Sequence, residues 1–301
     1  MTPSRLACPG WRRAAGFAAA TVLALITACQ PATHSTRDVV RGPDVVRGAD
    51  VVRGADVVRG VFRFSTQSWA ELRAAGFNTA TDGGVQRYGA AQATFGLKGS
   101  VWLDVYDNRT CRRLMSDAQI TAAARANVAA GRSGLYYELG DEPTSYGCRA
   151  EAVYRAMTAA VHRGDRAART WTVDDQFDQR QLRNGPGGVP LAGTVDVLAF
   201  DVYPCFYPTT APCDFAMIRR AVAHIRAARL HQPWWFVMQD FNRDGGEWRW
   251  PTPAELARQY AEWQGAGASG YLVYAWDADG SVTSQPGNVA MLRRLNAAPC
   301  C

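Results

Sequence analysis

Gly134-Leu135-Tyr136-Tyr137-Glu138-Leu139-Gly140-Asp141-Glu142-Pro143 decides how this chain is read, because an apolar, aromatic run ends abruptly in two carboxylates and a proline. The run predicts a buried strand that delivers Asp141 and Glu142 to a rim. Proline donates nothing to a ladder and pushes the residue before it out of helical geometry. The strand is therefore expected to stop there, with Glu142 extended at its last step. Like-charge repulsion and partial burial both raise a carboxyl pKa, which suits one of such a pair to proton donation. The plainer reading is a strand end with two solvated acids, and the rest of the chain bears on the choice.

Outward from this stretch, short apolar segments recur. Val57–Phe64, Asn78–Thr81 and Gly99–Tyr106 precede it; Thr170–Val173, Val195–Tyr203, Trp234–Gln239 and Gly270–Trp276 follow. Helical patterns fall between most of them: Ser65–Ala75, part of Val85–Gly96, Ser116–Ala130, Ala150–His162, Asp214–Arg229, Thr252–Gln264 and, last, Asn288–Asn296. Phe177–Gly188, rich in Gln, Asn, Arg and Gly, reads as loop. With 48% hydrophobic residues the chain can bury one large core. Eight strands with intervening helices predict an α/β fold, a single-domain (β/α)8 TIM barrel. A doubly wound open sheet is the competitor, but no glycine-rich turn follows the first strand and eight units favour closure.

The start of the chain reads as an export leader. Arg5, Arg12 and Arg13 precede an apolar run, Ala14 to Ala28, that is short for a membrane span. The divisions expected are a leader at 1–28, a tether at 29–56 and the barrel at 57–299. Within the tether, hexads beginning at Asp38, Asp44, Asp50 and Asp56 each open Asp-Val-Val-Arg-Gly. They are too few for a stacked solenoid and read as a spacer. An exported chain meets oxidising surroundings, where cysteines pair. Cys205 with Cys213, and Cys111 with Cys148, are the expected disulfides; Cys300 and Cys301 have no clear partner. No zinc-ligand spacing occurs and only four histidines are present, so no metal or other cofactor is expected. The formal charge of +6 includes the three leader arginines, and no basic stripe interleaved with aromatics points to nucleic acid. A monomer is expected.

In a barrel of this kind the chemistry sits where the strands end. Those ends carry Asp104, Asp141, Glu142, Asp174, Asp175, Asp201, Tyr203, Gln239, Asp240, Trp276 and Asp277. Trp102, Tyr106, Trp171, Phe206, Tyr207, Trp248 and Trp250 add aromatic surface near the same rim, although Trp102 and Trp171, inside strands, read equally well as barrel packing. Carboxylates beside aromatic faces suit sugars, which offer hydroxyls and a C–H face.

Several stretches resemble known proteins. Gly140-Asp141-Glu142-Pro143 is similar to the Asn-Glu-Pro that bears the acid/base glutamate of clan A glycoside hydrolases. Val195–Pro204, Trp235–Asp240, Pro251–Leu256 and Gly270–Asp277 resemble bacterial barrels grouped with those hydrolases. The resemblance implies an acid/base role for Glu142, with Asp141 where the clan has asparagine. It also implies a nucleophilic glutamate at the end of strand seven, where this chain has Gln239 instead. A second carboxylate is then needed, and Asp201 is the best placed by pattern, at the end of an apolar run and two residues before Tyr203. Tyr203, Asp104, Gln239, Asp240, Trp276 and Asp277 are the expected substrate-holding residues. The function expected is an extracytoplasmic glycoside hydrolase acting on a glycan; the alternatives are a carbohydrate-binding protein on a degenerate hydrolase barrel or a structural surface protein.

Ile26-Thr27-Ala28-Cys29 resembles the lipobox of bacterial lipoproteins, which implies that Cys29 is lipidated and holds the protein at a membrane. Cys29→Ser is expected to move the protein from the membrane fraction to the soluble one; equal distribution of both forms would exclude the anchor.

Overall fold

The structure, a computed structural model, describes residues 57–62, 69–81, 94–144, 147, 148, 150–174, 189–243, 246–277 and 282–298. The expected leader, lipidation site and first three repeats, the 177–188 segment, most of the expected 85–96 helix, Asp175, Cys300 and Cys301 lie outside these residues, whereas the fourth repeat runs into β1.

Eight parallel strands form the barrel: β1 (Val58–Phe62), β2 (Thr79–Thr81), β3 (Lys98–Trp102), β4 (Tyr136–Glu138), β5 (Arg169–Asp174), β6 (Val197–Asp201), β7 (Trp234–Gln239) and β8 (Gly270–Tyr274). Each pairs with its sequence neighbours, and β1 pairs with β8, so the sheet closes. Outside it lie α1 (Trp69–Ala74), α2 (Asp117–Ala129), α3 (Glu151–Gly164), α4 (Phe215–Ala228), α5 (Pro253–Trp263) and α6 (Pro286–Ala297). The (β/α)8 fold read from the sequence is the fold observed. Local chemistry sets the helix starts: Ser116 with Gln119, and Thr252 with Glu255, form reciprocal capping boxes.

Strand alternation sorts the core into two layers. Leu198, Phe200, Trp234, Phe236, Met238, Tyr271 and Val273 pack outward against the helices. Val58, Phe62, Tyr136, Trp171, Val173, Val197, Ala199, Trp235, Val237 and Leu272 fill the lumen. Trp171 thus belongs to the barrel filling, where its indole Nε1 donates to Ser100 Oγ at 2.7 Å.

Four strands, β3, β4, β6 and β8, stop before the C-terminal ends of the apolar runs that predict them. β4 ends at Glu138 rather than reaching Pro143, because the Gly140 carbonyl accepts from the Thr172 hydroxyl, at 2.6 Å, in place of a ladder N–H. Glu142 is not extended either: its φ is +47°, in the left-handed region. β3 stops at Trp102, since Asp104 turns the chain with φ +50°, and Tyr106–Asp107 instead pairs antiparallel with Arg112–Arg113. β6 ends at Asp201 and β8 at Tyr274.

Closure at the β1–β8 seam depends on glycine. A Cβ at Gly270 would lie 2.6 Å from the Val58 carbonyl oxygen and 2.7 Å from Val58 Cβ, and the Val58 backbone cannot swing aside as a flexible side chain would. Gly270→Ala is therefore expected to destabilise the barrel by about 2–3 kcal/mol, read as a lower urea midpoint at unchanged slope. An unaltered midpoint would show that the seam has slack.

Candidate functional site

The loop that carries Asp141 and Glu142 is pinned on both sides. Gly140 lies against Tyr154 of α3, whose hydroxyl would stand 2.1 Å from an added Cβ, so any side chain here would displace the loop. Thr144 donates from its hydroxyl to Asp174 Oδ1 at 3.0 Å, which spends Asp174 on loop support. Cys148 is joined to Cys111, tying this loop to the one that follows β3. Inside these restraints Glu142 holds a left-handed backbone that only glycine adopts without cost, and Asp104 does the same after β3. Such positions cost on the order of 1–3 kcal/mol each and collect at functional sites.

Tyr203 stands just beyond the end of β6, packed against the lumen cluster. Burial pushes its hydroxyl pKa well above the ordinary value, and the nearby charges of Asp201, Glu142 and Asp141 add to the shift, as does Tyr274. The charges of three of the sequence-derived acids, from the ends of β4 and β6, thus act on the same phenol. Asp201 follows Ala199 and precedes Tyr203 on the lumen-facing side of β6 and is 7% exposed. Phe241 (5.0 Å between ring centroids), Trp248 (6.2 Å) and Tyr274 (6.2 Å) surround the Tyr203 ring.

Other expected site residues lie elsewhere. Gln239 is fully buried and its amide is committed: Oε1 accepts from the Cys205 N–H at 2.9 Å, and Nε2 donates to the carbonyls of Cys205 (3.1 Å) and Arg249 (2.9 Å). It brackets the loops after β6 and β7. Asp240 points away, accepting from Asn288 Nδ2 of α6 at 2.6 Å, and burial pushes its carboxyl up to about 8. Trp276, expected to hold substrate, is 1% exposed and edge-on to Phe77 in the outer layer of the core. Asp277 is half-buried, whereas Asp104 is exposed beyond β3. Trp102 ends β3 and is 37% exposed.

Glu138 was missed in the sequence. It shares the lumen-facing side of β4 with Tyr136, is fully buried, and lies in register with Trp102 of β3 and Trp171 of β5. Its alternation with Tyr137 and Leu139, which pack outward, was the available signal.

The loops after β6 and β7 form one wall. Phe206 and Trp248 make an antiparallel bridge, the Tyr207 N–H donates to the Glu247 carbonyl at 2.8 Å, and Cys205 is bonded to Cys213. Both expected disulfides are present. Arg249, 4% exposed, donates to Glu255 and to the Ala211 carbonyl, and its guanidinium holds the Glu255 carboxyl down at about 2.

No family model matches the chain, and no curated protein matches it. Solved structures do. A GH2 β-galacturonidase from Eisenbergiella tayi superposes with a TM-score of 0.55 at 11% identity, over 81% of this chain and 52% of that one. The PgaB (BpsB) glycoside hydrolase domain from Bordetella bronchiseptica gives 0.50 at 12% identity, over 79% of this chain and 98% of that one. An FMN-binding β-glucuronidase from Facaelibacterium prausnitzii gives 0.50 at 10%, over 73% and 37%. This chain spans about half the length of the first of these. At such identities the likeness shows the fold alone, a (β/α)8 TIM barrel.

The bracket made by Gln239 carries a direct test. A glutamate there would turn a carboxylate oxygen toward two carbonyls that now receive hydrogen bonds. Gln239→Glu is expected to lose about 2–3 kcal/mol of stability at neutral pH. The loss should shrink between about pH 8 and about pH 5, since the carboxyl pKa is raised in the fold and the protonated form regains a donor. Urea unfolding across that range checks both; a pH-independent or absent loss would remove the bracket from the account.

Proposed function

We propose that the protein is a glycoside hydrolase acting on a glycan outside the cytoplasm, with Glu142 as general acid. The observation that supports this reading is that the residues at the ends of β4 and β6 bring the charges of Glu142, Asp141 and Asp201 to bear on one Tyr203 hydroxyl, at the edge of the barrel where such folds place their chemistry. In this reading Glu142 delivers a proton to the departing glycosidic oxygen while Asp201, from the far side of the sugar, takes one from an attacking water. The glycosidic C–O bond breaks as the C–O bond to water forms, and the anomeric configuration inverts. Inversion requires carboxyls about 6.5–9.5 Å apart, whereas retention requires about 5–5.5 Å. Gln239 offers no carboxylate and has its amide committed, which favours water over an enzyme nucleophile at that end of the site. Tyr203 supplies a hydroxyl proton to hold a sugar oxygen, and Asp104 and Asp277 stand at the rim for further hydroxyls. The two disulfides support an oxidising compartment, and we place the protein there as a lipoprotein anchored through Cys29.

The same commitment of Gln239 favours one other reading, a barrel that binds glycans without cleaving them. Turnover separates the two. Purified protein offered a panel of glycans is expected to release sugar, with Glu142→Gln and Asp201→Asn each lowering the rate by at least about a hundredfold while glycan binding persists. NMR of the fresh product is expected to show the inverted anomer. Binding without turnover on every glycan would establish the binder, and full activity in Asp201→Asn would remove that residue from the mechanism.

A further inference from the structure

The aromatic side chains of the mouth have an arrangement that the acid pair does not explain. β3 and β7 lie four strands apart around the eight-strand barrel, so their C-terminal ends face each other across it. Trp102 ends β3. Trp248 stands in the loop after β7 and is bridged to Phe206, which precedes Tyr207. Among the described residues the exposed large apolar side chains include just two aromatic ones, Trp102 at 37% and Tyr207 at 40%, and they fall on these two opposite sides. Glu142 and Asp201, from β4 and β6, come between them.

The wall on the β7 side is built to hold its rings still. Arg243 lays its guanidinium 5.3 Å from the centre of the Trp248 ring, and the Arg243 N–H donates to the Trp248 carbonyl at 3.3 Å. The Tyr207 hydroxyl donates to Asn242 Oδ1 at 2.6 Å. The Cys205–Cys213 bridge and buried Arg249 fix the backbone behind them. A ring kept half-exposed on a stiff support, with amide and guanidinium groups beside it, gives stacking area at little entropic cost and hydrogen bonds at its edge. Pyranose rings take this combination, through their C–H face and equatorial hydroxyls. Trp248 also lies edge-on to Tyr203 at 6.2 Å, so a ring stacked there adjoins the unit beside the acids.

We propose that Trp102 on one side and Trp248 with Tyr207 on the other are outer sugar subsites, so that the ligand is a glycan chain crossing the mouth from β3 to β7 and is cut internally. This rests on the glycoside reading given above. The acids then meet a linkage inside the chain, and a monosaccharide fills only the centre.

Calorimetric titration with β-linked gluco-, N-acetylgluco-, manno- and galacto-oligosaccharides of one to six units tests it. For at least one series, wild-type affinity is expected to rise with length to four units or more. Trp102→Ala and Trp248→Ala are each expected to weaken binding of the longest member by about tenfold or more. Tyr207→Ala, whose ring contributes little to the core, should do so by a smaller factor, and Trp248→Phe should keep most of the affinity. Circular dichroism identifies any variant that unfolds, and Tyr207→Ala then decides in place of Trp248→Ala. Length-independent binding, or wild-type affinity for the hexamer in folded Trp102→Ala and Tyr207→Ala, overturns the chain-crossing subsites and leaves the hydrolase reading intact. If the wild type neither binds nor cleaves any member, both fall together.

Discussion

Eight strands closed on themselves enclose a lumen that only side chains can fill, and this chain fills it with rings. Tyr136 meets Trp235 at 4.9 Å, Trp235 meets Trp171 at 5.5 Å, Trp171 meets Phe62 at 5.9 Å and Phe62 meets Tyr274 at 5.4 Å. Tyr274 in turn meets Tyr203, the phenol among the acids. The column therefore runs from the barrel interior to the mouth without a break, and the floor of the site is the core itself. Indole and phenol rings occupy large volumes with few rotatable bonds, which fixes the height at which Tyr203 stands. The polar end of Trp171 is satisfied by Ser100 across the lumen, so the filling carries little electrostatic cost there.

What rises above that floor is held by covalent and charged ties as well as by buried side chains such as Val105, Val202 and Phe241. The loop of Glu142 is joined to the loop after β3 through Cys111–Cys148; the loops after β6 and β7 are joined by the Gln239 amide and by Arg249, which donates to the Ala211 carbonyl, while Cys205–Cys213 closes a short ring within the first of them. Cross-links order these loops further by restricting the unfolded chain and by leaving buried donors and acceptors no better partner than the native one.

The barrel was legible in the sequence because each strand is an apolar run bounded by polar residues and most are followed by a helical period. Strand ends were less legible, since Leu139, Gly140 and the residues after Trp102 continue an apolar pattern while their backbones leave the ladder. Hydrogen bonds from Thr172 and the turn at Asp104 decide those ends, and neither has a local sequence signature. Among expected site residues, Glu142, Asp141 and Asp201 were picked out by position at strand ends, and their charges act on the Tyr203 phenol. Trp276 was misread because aromatic character says nothing about which side of a strand end a ring takes. Gln239 was read as a lost carboxylate, yet its environment of two carbonyls and one N–H calls for an amide.

The aromatic column also gives the lumen an optical identity. Trp171 and Trp235 are fully or almost fully buried, their rings tilted by 52° at 5.5 Å, in a space too tightly filled for either to reorient. Two indole transition dipoles held at such an angle and distance couple as excitons, giving a dichroic couplet on the strong indole band of a sign and size set by their mutual twist. The pair spans β5 and β7, with β6 between them, so the coupled signal exists only while the sheet keeps its curvature. The chain thus contains an intrinsic chromophore for barrel closure, a couplet superimposed on the helical signal.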